Sequence, residues 1–457
     1  MADAPVEDLL AVDREVARGV ERLTKWREAL RREPEAHAEE EPLEVVRRVS
    51  GKTTWEALGA LSPVLLDVPL RDRLQAWVAA LIAARVEQPE VVAWARGANE
   101  ARARFAGEPP RTVSWREAWR GVVRARSAAE ARLWLDAAAE AGPALAEIAR
   151  TRAGKRLEVA RRLGKEHPWE LVPGVKPSEL RAAAARVLDR TEELSREVWK
   201  PVVREAMVPA MAPALVLHAA VAREAGEGWP ARLSGAWLQE QFGARLEGLK
   251  VAPGALPEAV GASSFARALY AFGFALRVAS APKVVPFALA HEPGARWAHR
   301  MGATFASLAA DPEWQTRALG VGKRTALAQS RVLARTLLLE LRVQAARVLL
   351  GDAADFAPRD RFAELGTRLF GAELEAGLRG AWPEAREDDG SRLLGAIEAP
   401  AFVRELREQF DADWFRNPRA WMHLRAVSAL APRELPAADA TLAAVDALAR
   451  SLEGMLG

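Results

Sequence analysis

Cysteine is absent from this sequence of 457 residues. Its absence excludes disulfides, thiolate metal sites, iron–sulfur clusters and cysteine nucleophiles. A chain without cysteine also fits a reducing compartment, and the acidic segment formed by residues 1–8 has no basic region followed by an apolar stretch. We therefore expect no signal peptide and a cytoplasmic protein.

Long hydrophobic runs and an excess of one charge are also missing. The longest nearly uncharged run, residues 208–222, is shorter than a membrane span and contains two prolines, so we interpret it as a buried helix and expect no membrane contact. There are 65 basic and 62 acidic residues, which gives a formal net charge of +3. Such a small net charge predicts no strong attraction to nucleic acid.

Histidine and tyrosine are scarce, which limits metal and acid–base chemistry. The six histidines include no pair four residues apart, so the sequence has no His-Glu-x-x-His zinc motif. Two glycine–lysine segments, residues 50–54 and 320–323, fail to match a phosphate-binding P-loop because the earlier glycine of that loop is missing. We predict no cofactor and no metal.

The residues that are abundant are those of amphipathic helices. Half of the sequence is hydrophobic and 28% is charged, which is typical of an all-α protein. The chain is longer than one hydrophobic core normally supports. We therefore expect two helical lobes, residues 1–226 and 227–457, divided at a segment with two helix breakers, residues 226–230.

Apolar residues at steps of three and four predict individual helices. We expect helices over residues 90–106, 178–207 and 262–279, among others. Ser114 and Glu117 form a capping-box signature, which predicts that a helix begins there. No convincing series of strands is found.

One predicted helix carries a motif. Residues 264–276 read SFARALYAFGFAL, which resembles the active-site helix of the oligoendopeptidase F and thimet-type zinc metallopeptidases, whose pattern reads LFHEFGHAL. In this alignment the first histidine is replaced by Tyr270, the catalytic glutamate by Ala271 and the second histidine by Phe274. The sequence thus resembles a member of that family that lacks the zinc motif.

Two further segments carry the same resemblance in the same order. Residues 305–314, FASLAADPEW, are similar to the segment that follows the third zinc ligand of the family. Residues 410–424, FDADWFRNPRAWMHL, look like the C-terminal family pattern FGxDWWRNPxAGxxL. The resemblance implies a two-lobed helical metallopeptidase-like fold around a central cleft.

The resemblance also implies what has been lost. The family holds zinc with two imidazoles and a carboxylate, uses a glutamate to take a proton from the bound water, and stabilises the oxyanion with tyrosine or histidine. Here both imidazoles and the glutamate are replaced, and Glu292 is the sole acidic residue between Tyr270 and Asp311 that could serve as the third ligand. We therefore expect no catalytic residue and no zinc site.

Three functions remain open. The leading hypothesis is a catalytically inactive metallopeptidase-like protein, a pseudoenzyme, that binds a peptide or a protein partner in the retained cleft. The alternatives are a hydrolase that uses other groups near the old site, and a structural or assembly protein that binds through its surface helices. The aromatic residues of the motif could equally fill a core helix. The candidate cleft residues are Tyr270, Ala271, Phe274, His291, Glu292 and His299.

Overall fold

Helices make up nearly all of the regular structure in the computed structural model of this chain, so the all-α fold class is confirmed. The lobe boundary predicted at residues 226–230 lies outside the described part of the chain. The structure describes residues 8–61, 68–173, 175–206, 208–221, 262–429 and 438–456, together with Trp237 and Glu240.

The described part of the N-terminal half contains ten α-helices and one β-hairpin. The helices are α1 (Leu9–Arg32), α2 (Pro34–His37), α3 (Lys52–Ala60), α4 (Val68–Val86), α5 (Gln88–Glu100), α6 (Trp115–Arg124), α7 (Ala128–Arg162), α8 (Pro177–Arg190), α9 (Glu192–Arg204) and α10 (Ala212–Val221). The hairpin strands are β1 (Arg102–Phe105) and β2 (Arg111–Ser114), and short 3-10 helices cover Glu44–Ser50, Pro168–Leu171 and Pro209–Met211.

The described part of the C-terminal half is also helical. Its α-helices are α11 (Ala262–Ala279), α12 (Phe287–Ala290), α13 (Arg296–Ala309), α14 (Pro312–Leu319), α15 (Lys323–Leu350), α16 (Arg359–Phe370), α17 (Asp389–Phe410), α18 (Pro418–Val427) and α19 (Ala438–Leu456). Short 3-10 helices cover Ala376–Leu378 and Trp414–Arg416.

Local sequence signals fix several of the helix ends. The capping box predicted before α6 is confirmed, since the Ser114 hydroxyl accepts from the Glu117 amide and the Glu117 carboxylate accepts from the Ser114 amide. This reciprocal pair satisfies two amides that the first helical turn leaves without partners. Helix α11 coincides with the prediction for residues 262–279.

The helix predicted over residues 90–106 is wrong beyond Glu100. The chain leaves the helix there, and β1 pairs antiparallel with β2. Phe105 is buried, and its ring stacks on Trp134 of α7 at a centroid distance of 3.8 Å. This packing depends on a helix that follows later in the chain, so the apolar spacing within the segment did not reveal the hairpin.

The single helix predicted over residues 178–207 is also wrong, because the chain forms two helices that meet at Thr191. The Thr191 hydroxyl lies within hydrogen-bond distance of the Val187 carbonyl, at 2.6 Å, and of the buried Arg342 guanidinium, at 2.8 Å. Arg342 also donates to the Leu188 carbonyl at 2.9 Å. The Arg342 guanidinium of α15 therefore donates hydrogen bonds to polar groups at the break between α8 and α9.

One hydrophobic core joins the three segments that carry the family resemblance. It packs Phe265 and Phe272 of α11 against Phe305 of α13, and these against tryptophans of the later segments. A larger core contains residues from both sides of the 226–230 segment. The buried aromatic members of the first core are Phe265, Phe272, Phe305, Trp314, Phe402, Phe410, Trp414, Phe415 and Trp421.

Among the helices that the structure describes, no single one is both long and apolar enough to cross a membrane. The pair Glu192–Arg204 and Pro209–Ala220 reaches that length and composition only when both are counted together, and the chain bends by 110° between them.

Candidate functional site

Tyr270 and Phe274 lie one turn apart on α11 and both contact His299 of α13. The Tyr270 hydroxyl is 2.6 Å from Nδ1 of His299. The Phe274 ring lies 5.1 Å from the imidazole, centroid to centroid, at an angle of 59°. His299 thus lies against both positions at which the sequence resemblance expects zinc-binding histidines.

The second nitrogen of His299 faces a carboxylate that the sequence did not identify. Nε2 of His299 lies 3.2 Å from Oδ2 of Asp388, the residue that immediately precedes α17. The three side chains form a continuous polar chain, which we call the Tyr–His–Asp chain. Asp388 stands in the acidic run of residues 387–389, a pattern that is more typical of a solvated surface than of a partner for a buried imidazole.

The ionisation of Asp388 fixes the direction of this chain. Although burial raises the pKa of Asp388, its hydrogen bond with His299 and the charge of Arg386 lower the pKa below its usual value. The carboxylate can only accept, so Nε2 of His299 is assigned as the donor. In the neutral imidazole Nδ1 then accepts from the Tyr270 hydroxyl. Burial is the main cause that raises the pKa of Tyr270, and this raised pKa keeps the phenol protonated.

Glycines allow the three helices of this site to approach closely. A Cβ at Gly273 of α11 would lie 2.5 Å from the Met301 carbonyl oxygen, and one at Gly302 of α13 would lie 3.0 Å from the Tyr270 carbonyl oxygen. On α17, a Cβ at Gly395 would lie 2.6 Å from the Arg300 amide nitrogen. These contacts leave no room for side chains, so the glycines set the spacing that brings Tyr270 to His299.

Two charged groups border the Tyr–His–Asp chain. The Arg392 guanidinium of α17 lies over the Tyr270 ring, 5.2 Å from its centroid, in a cation–π arrangement. Burial raises the pKa of Glu340 on α15, although the charges of Arg267 and Arg392 oppose the shift. Tyr270, Ala271 and Phe274 are each partly exposed, whereas His299 is buried.

His291 and Glu292 make their contacts elsewhere. Glu292 accepts from the Trp297 amide at 2.9 Å and lies 3.6 Å from a guanidinium nitrogen of Arg73. Burial raises the pKa of Glu292. Burial, together with the charge of Arg277, lowers the pKa of His291 to about 4, and its ring packs on Phe287 at 4.7 Å. The structure therefore brings together Tyr270, Phe274 and His299 of the candidate set.

The side chains at these positions do not fit a catalytic zinc ion. Tyr270 and Phe274 offer a phenol and a phenyl ring rather than imidazoles, and both nitrogens of His299 already lie within reach of polar partners. In the part of the chain that the structure describes, no group of three histidine, aspartate or glutamate side chains is arranged to hold a metal ion. Ala271 has no carboxylate with which to take a proton from bound water.

Comparison with known proteins gives fold similarity alone. No protein-family profile matches the chain, and no curated protein is significantly similar in sequence. The chain is similar in structure to a protein assigned as oligoendopeptidase F from Bacillus anthracis str. Ames, with a TM-score of 0.54 at 13% identity over 89% of this chain and 82% of that one. It is also similar to PZ peptidase A solved with an inhibitor, with a TM-score of 0.54 at 13% identity over 90% and 85% of the two chains.

Proposed function

We propose that this chain is a catalytically inactive, peptidase-like protein that binds a peptide or a protein partner on the partly exposed surface formed by Tyr270, Ala271 and Phe274 of α11. The proposal is supported chiefly by the Tyr–His–Asp chain. Its members satisfy one another by hydrogen bonding at the position where the resemblance expects zinc, and Ala271 stands where the general base would be. Without a metal to lower its pKa to about 7, water stays protonated at neutral pH and is a poor nucleophile for peptide hydrolysis.

Partial exposure supports the binding role. Tyr270, Ala271 and Phe274 are not fully covered by neighbouring helices, although the residues between and around them fill the core. The bordering Arg392 and Glu340 add one cation and one anion, which suits a polypeptide with its own polar groups. The partly exposed surface of α11 is therefore bordered by charged groups from α15 and α17.

Metal content and peptide cleavage test the inactive state together. The purified, untagged chain is analysed for zinc and incubated with a mixed peptide library, with and without a chelator. We expect no stoichiometric zinc and no cleavage. Stoichiometric zinc with chelator-sensitive cleavage would reject the proposal, because it would require a ligand set other than the one at α11.

Peptide binding is tested on the same preparation. The library is passed over the immobilised chain, and a retained peptide is then titrated against Ala271→Arg and Val45→Arg. Val45 is 62% exposed and lies in the 3-10 helix Glu44–Ser50, outside α11, which makes it a matched control. We expect Ala271→Arg to abolish binding and Val45→Arg to leave it intact. Equal effects of the two variants, or no retained peptide, would contradict binding at this face.

A hydrolase without zinc is the second candidate function. The Tyr–His–Asp chain favours this candidate, because it places a hydroxyl, an imidazole and a carboxylate in sequence. The raised pKa of Tyr270 opposes it, because burial disfavours the phenolate that would attack. Chelator-resistant cleavage that His299→Ala abolishes would establish this alternative in place of the inactive protein.

A further inference from the structure

A pocket lies between α7, α15 and the segment that precedes α17. Its empty volume, including the mouth open to solvent, is ≈ 620 Å³. The enclosed part has room for roughly three water-sized groups, which is the size of a carboxylate. Aromatic rings of Trp94, Trp169 and Phe356 line the pocket together with four arginines.

Two of the four arginines are occupied by carboxylates. Arg152 donates to Glu87 at 2.9 Å and to Glu387 at 2.7 Å. Nε of Arg156 lies 3.4 Å from Glu87 in an ion pair, although it makes no hydrogen bond. These side chains form a network of ion pairs beside the pocket and do not need a ligand to balance them.

The other two arginines have weaker partners. Arg347 lies 3.6 Å from Oδ1 of Asp389, and Arg386 lies 3.7 Å from Glu384, both beyond hydrogen-bond distance. Nε of Arg347 and Oδ1 of Asp389 are buried without any hydrogen-bond partner. Asp389 is only 4% exposed, so an unpaired carboxylate oxygen is costly there.

The guanidinium groups and carboxylates around the pocket balance. Five guanidinium groups face five carboxylates, if Arg27, which pairs with Glu87 and Glu387, and Asp388, whose charge acts on Arg386, are included. The pocket offers a ligand two buried hydrogen-bonding atoms without partners, Nε of Arg347 and Oδ1 of Asp389. A singly charged group with its own N–H donor therefore suits this network better than a doubly charged phosphate. The members of the network are Arg27, Arg152, Arg156, Arg347, Arg386, Glu87, Glu384, Glu387, Asp388 and Asp389.

We propose that this pocket binds the C-terminal residue of a peptide or an N-acylated amino acid. The ligand carboxylate would pair with Arg347 and Arg386, and its amide N–H would donate to the unpaired oxygen of Asp389. Its apolar side chain would pack on Trp169 and Phe356. None of the residues that line the pocket belongs to the candidate site on α11, so this proposal stands apart from the proposed function.

The full chain is titrated with N-acetyl-L-phenylalanine, with its C-terminal amide and with inorganic phosphate, and binding is followed by calorimetry. We expect saturable one-to-one binding of the acid, binding of the amide that is weaker by about tenfold or more, and no competition by phosphate. A tripeptide with a free or an amidated C-terminus distinguishes a peptide end from a free N-acyl amino acid. Equal affinity for acid and amide, or no binding of either at millimolar concentration, would overturn the proposal.

Two variants locate the site. Arg386→Gln removes a side chain that is 37% exposed, so the fold should tolerate it. We expect this variant to weaken binding of the acid by about tenfold or more. Arg335→Gln, on the exposed face of α15, is the matched control and should leave the affinity unchanged. An unchanged affinity of Arg386→Gln for the acid would place the ligand elsewhere. If this variant does not fold, the comparison of the acid with the amide on the unaltered chain still tests the proposal.

Discussion

The Tyr270 hydroxyl lies 2.6 Å from Nδ1 of His299, although the two residues belong to different helices. The contact depends on close packing of α11 on α13 and on Asp388, whose carboxylate pairs with Nε2, the other nitrogen of the imidazole. A phenol at this position therefore does more than fill space. It satisfies a buried ring nitrogen that would otherwise have no partner from α11.

Tyr270→Phe tests the contribution of this hydrogen bond. The variant keeps the ring under Arg392 and removes only the hydroxyl, which leaves Nδ1 of His299 unpaired in a buried site. We expect the free energy of unfolding to fall by about 1–3 kcal/mol in urea denaturation at neutral pH. Thr367→Val removes an exposed hydroxyl and is the control. Equal losses in the two variants would show that the Tyr270 hydroxyl contributes no special stability.

Gly273→Ala tests whether helix spacing positions the site. The new methyl group would lie 2.5 Å from the Met301 carbonyl oxygen, so α11 and α13 would have to move apart. We expect a loss of about 1–3 kcal/mol in unfolding free energy from overpacking.

Gly154→Ala provides the opposite case for comparison. Gly154 lies within α7, and a Cβ there would have nothing within 4 Å. Alanine is the better helix former, so this variant should gain up to about 1 kcal/mol. If Gly273→Ala were as stable as Gly154→Ala, close packing of α11 on α13 would not be the constraint that we infer.

Asp389→Asn should stabilise the fold in a pH-dependent manner. Burial is the main cause that raises the pKa of Asp389 to about 6. The charge of Arg347 opposes the rise in pKa, and the charge of Asp388 adds to it. A carboxyl group whose pKa is higher in the folded state than in the unfolded state costs stability when it is ionised. That cost is fully present above about pH 6 and disappears as the pH falls toward 4.

We therefore expect Asp389→Asn to raise the unfolding free energy by roughly 2–3 kcal/mol at pH 8 and by almost nothing near pH 4. Urea denaturation across this range measures the difference. Asp355→Asn is the control, since Asp355 is exposed. A gain that did not depend on pH, or a loss at pH 8, would mean that the ion pair with Arg347 outweighs the cost of burying the carboxylate.

The sequence predicted features that depend on neighbours within a few residues. The helical class, the bounds of α11 and the Ser114 capping box all follow from local spacing and local hydrogen bonds. The β-hairpin was missed because Phe105 gains its partner, Trp134, from the following long helix. The break at Thr191 was missed because Arg342, which donates a hydrogen bond to the Thr191 hydroxyl, lies far along the chain.

The candidate site shows the same limit. His299 could be named because histidines are few, and its contacts with Tyr270 and Phe274 come from the packing of two helices. Glu292 was chosen by its position in the sequence, but it accepts from the Trp297 amide in the first turn of α13. Asp388 carried no recognisable signal, because only the docking of α17 on α13 brings its carboxylate to the imidazole.

Introducing the metallopeptidase pattern that α11 resembles tests the relation between α11 and His299 most directly. In the variant Tyr270→His/Ala271→Glu/Phe274→His, two imidazoles replace the side chains that now contact His299. Loss of the Tyr270 hydroxyl also frees Nδ1 of His299, so three ring nitrogens could converge on one ion. We expect this variant to retain about one zinc ion per chain after dialysis, and the unaltered chain to retain none.

The control for this experiment is Phe274→His alone, which offers one new imidazole beside His299 and leaves Tyr270 in place. It should bind zinc far more weakly, because two ligands do not complete a tetrahedral site. Circular dichroism checks that each variant keeps its helices. If the folded triple variant bound no more zinc than Phe274→His, the side chains at 270 and 274 would not converge with His299, and the inference that these positions correspond to a former zinc site would fail.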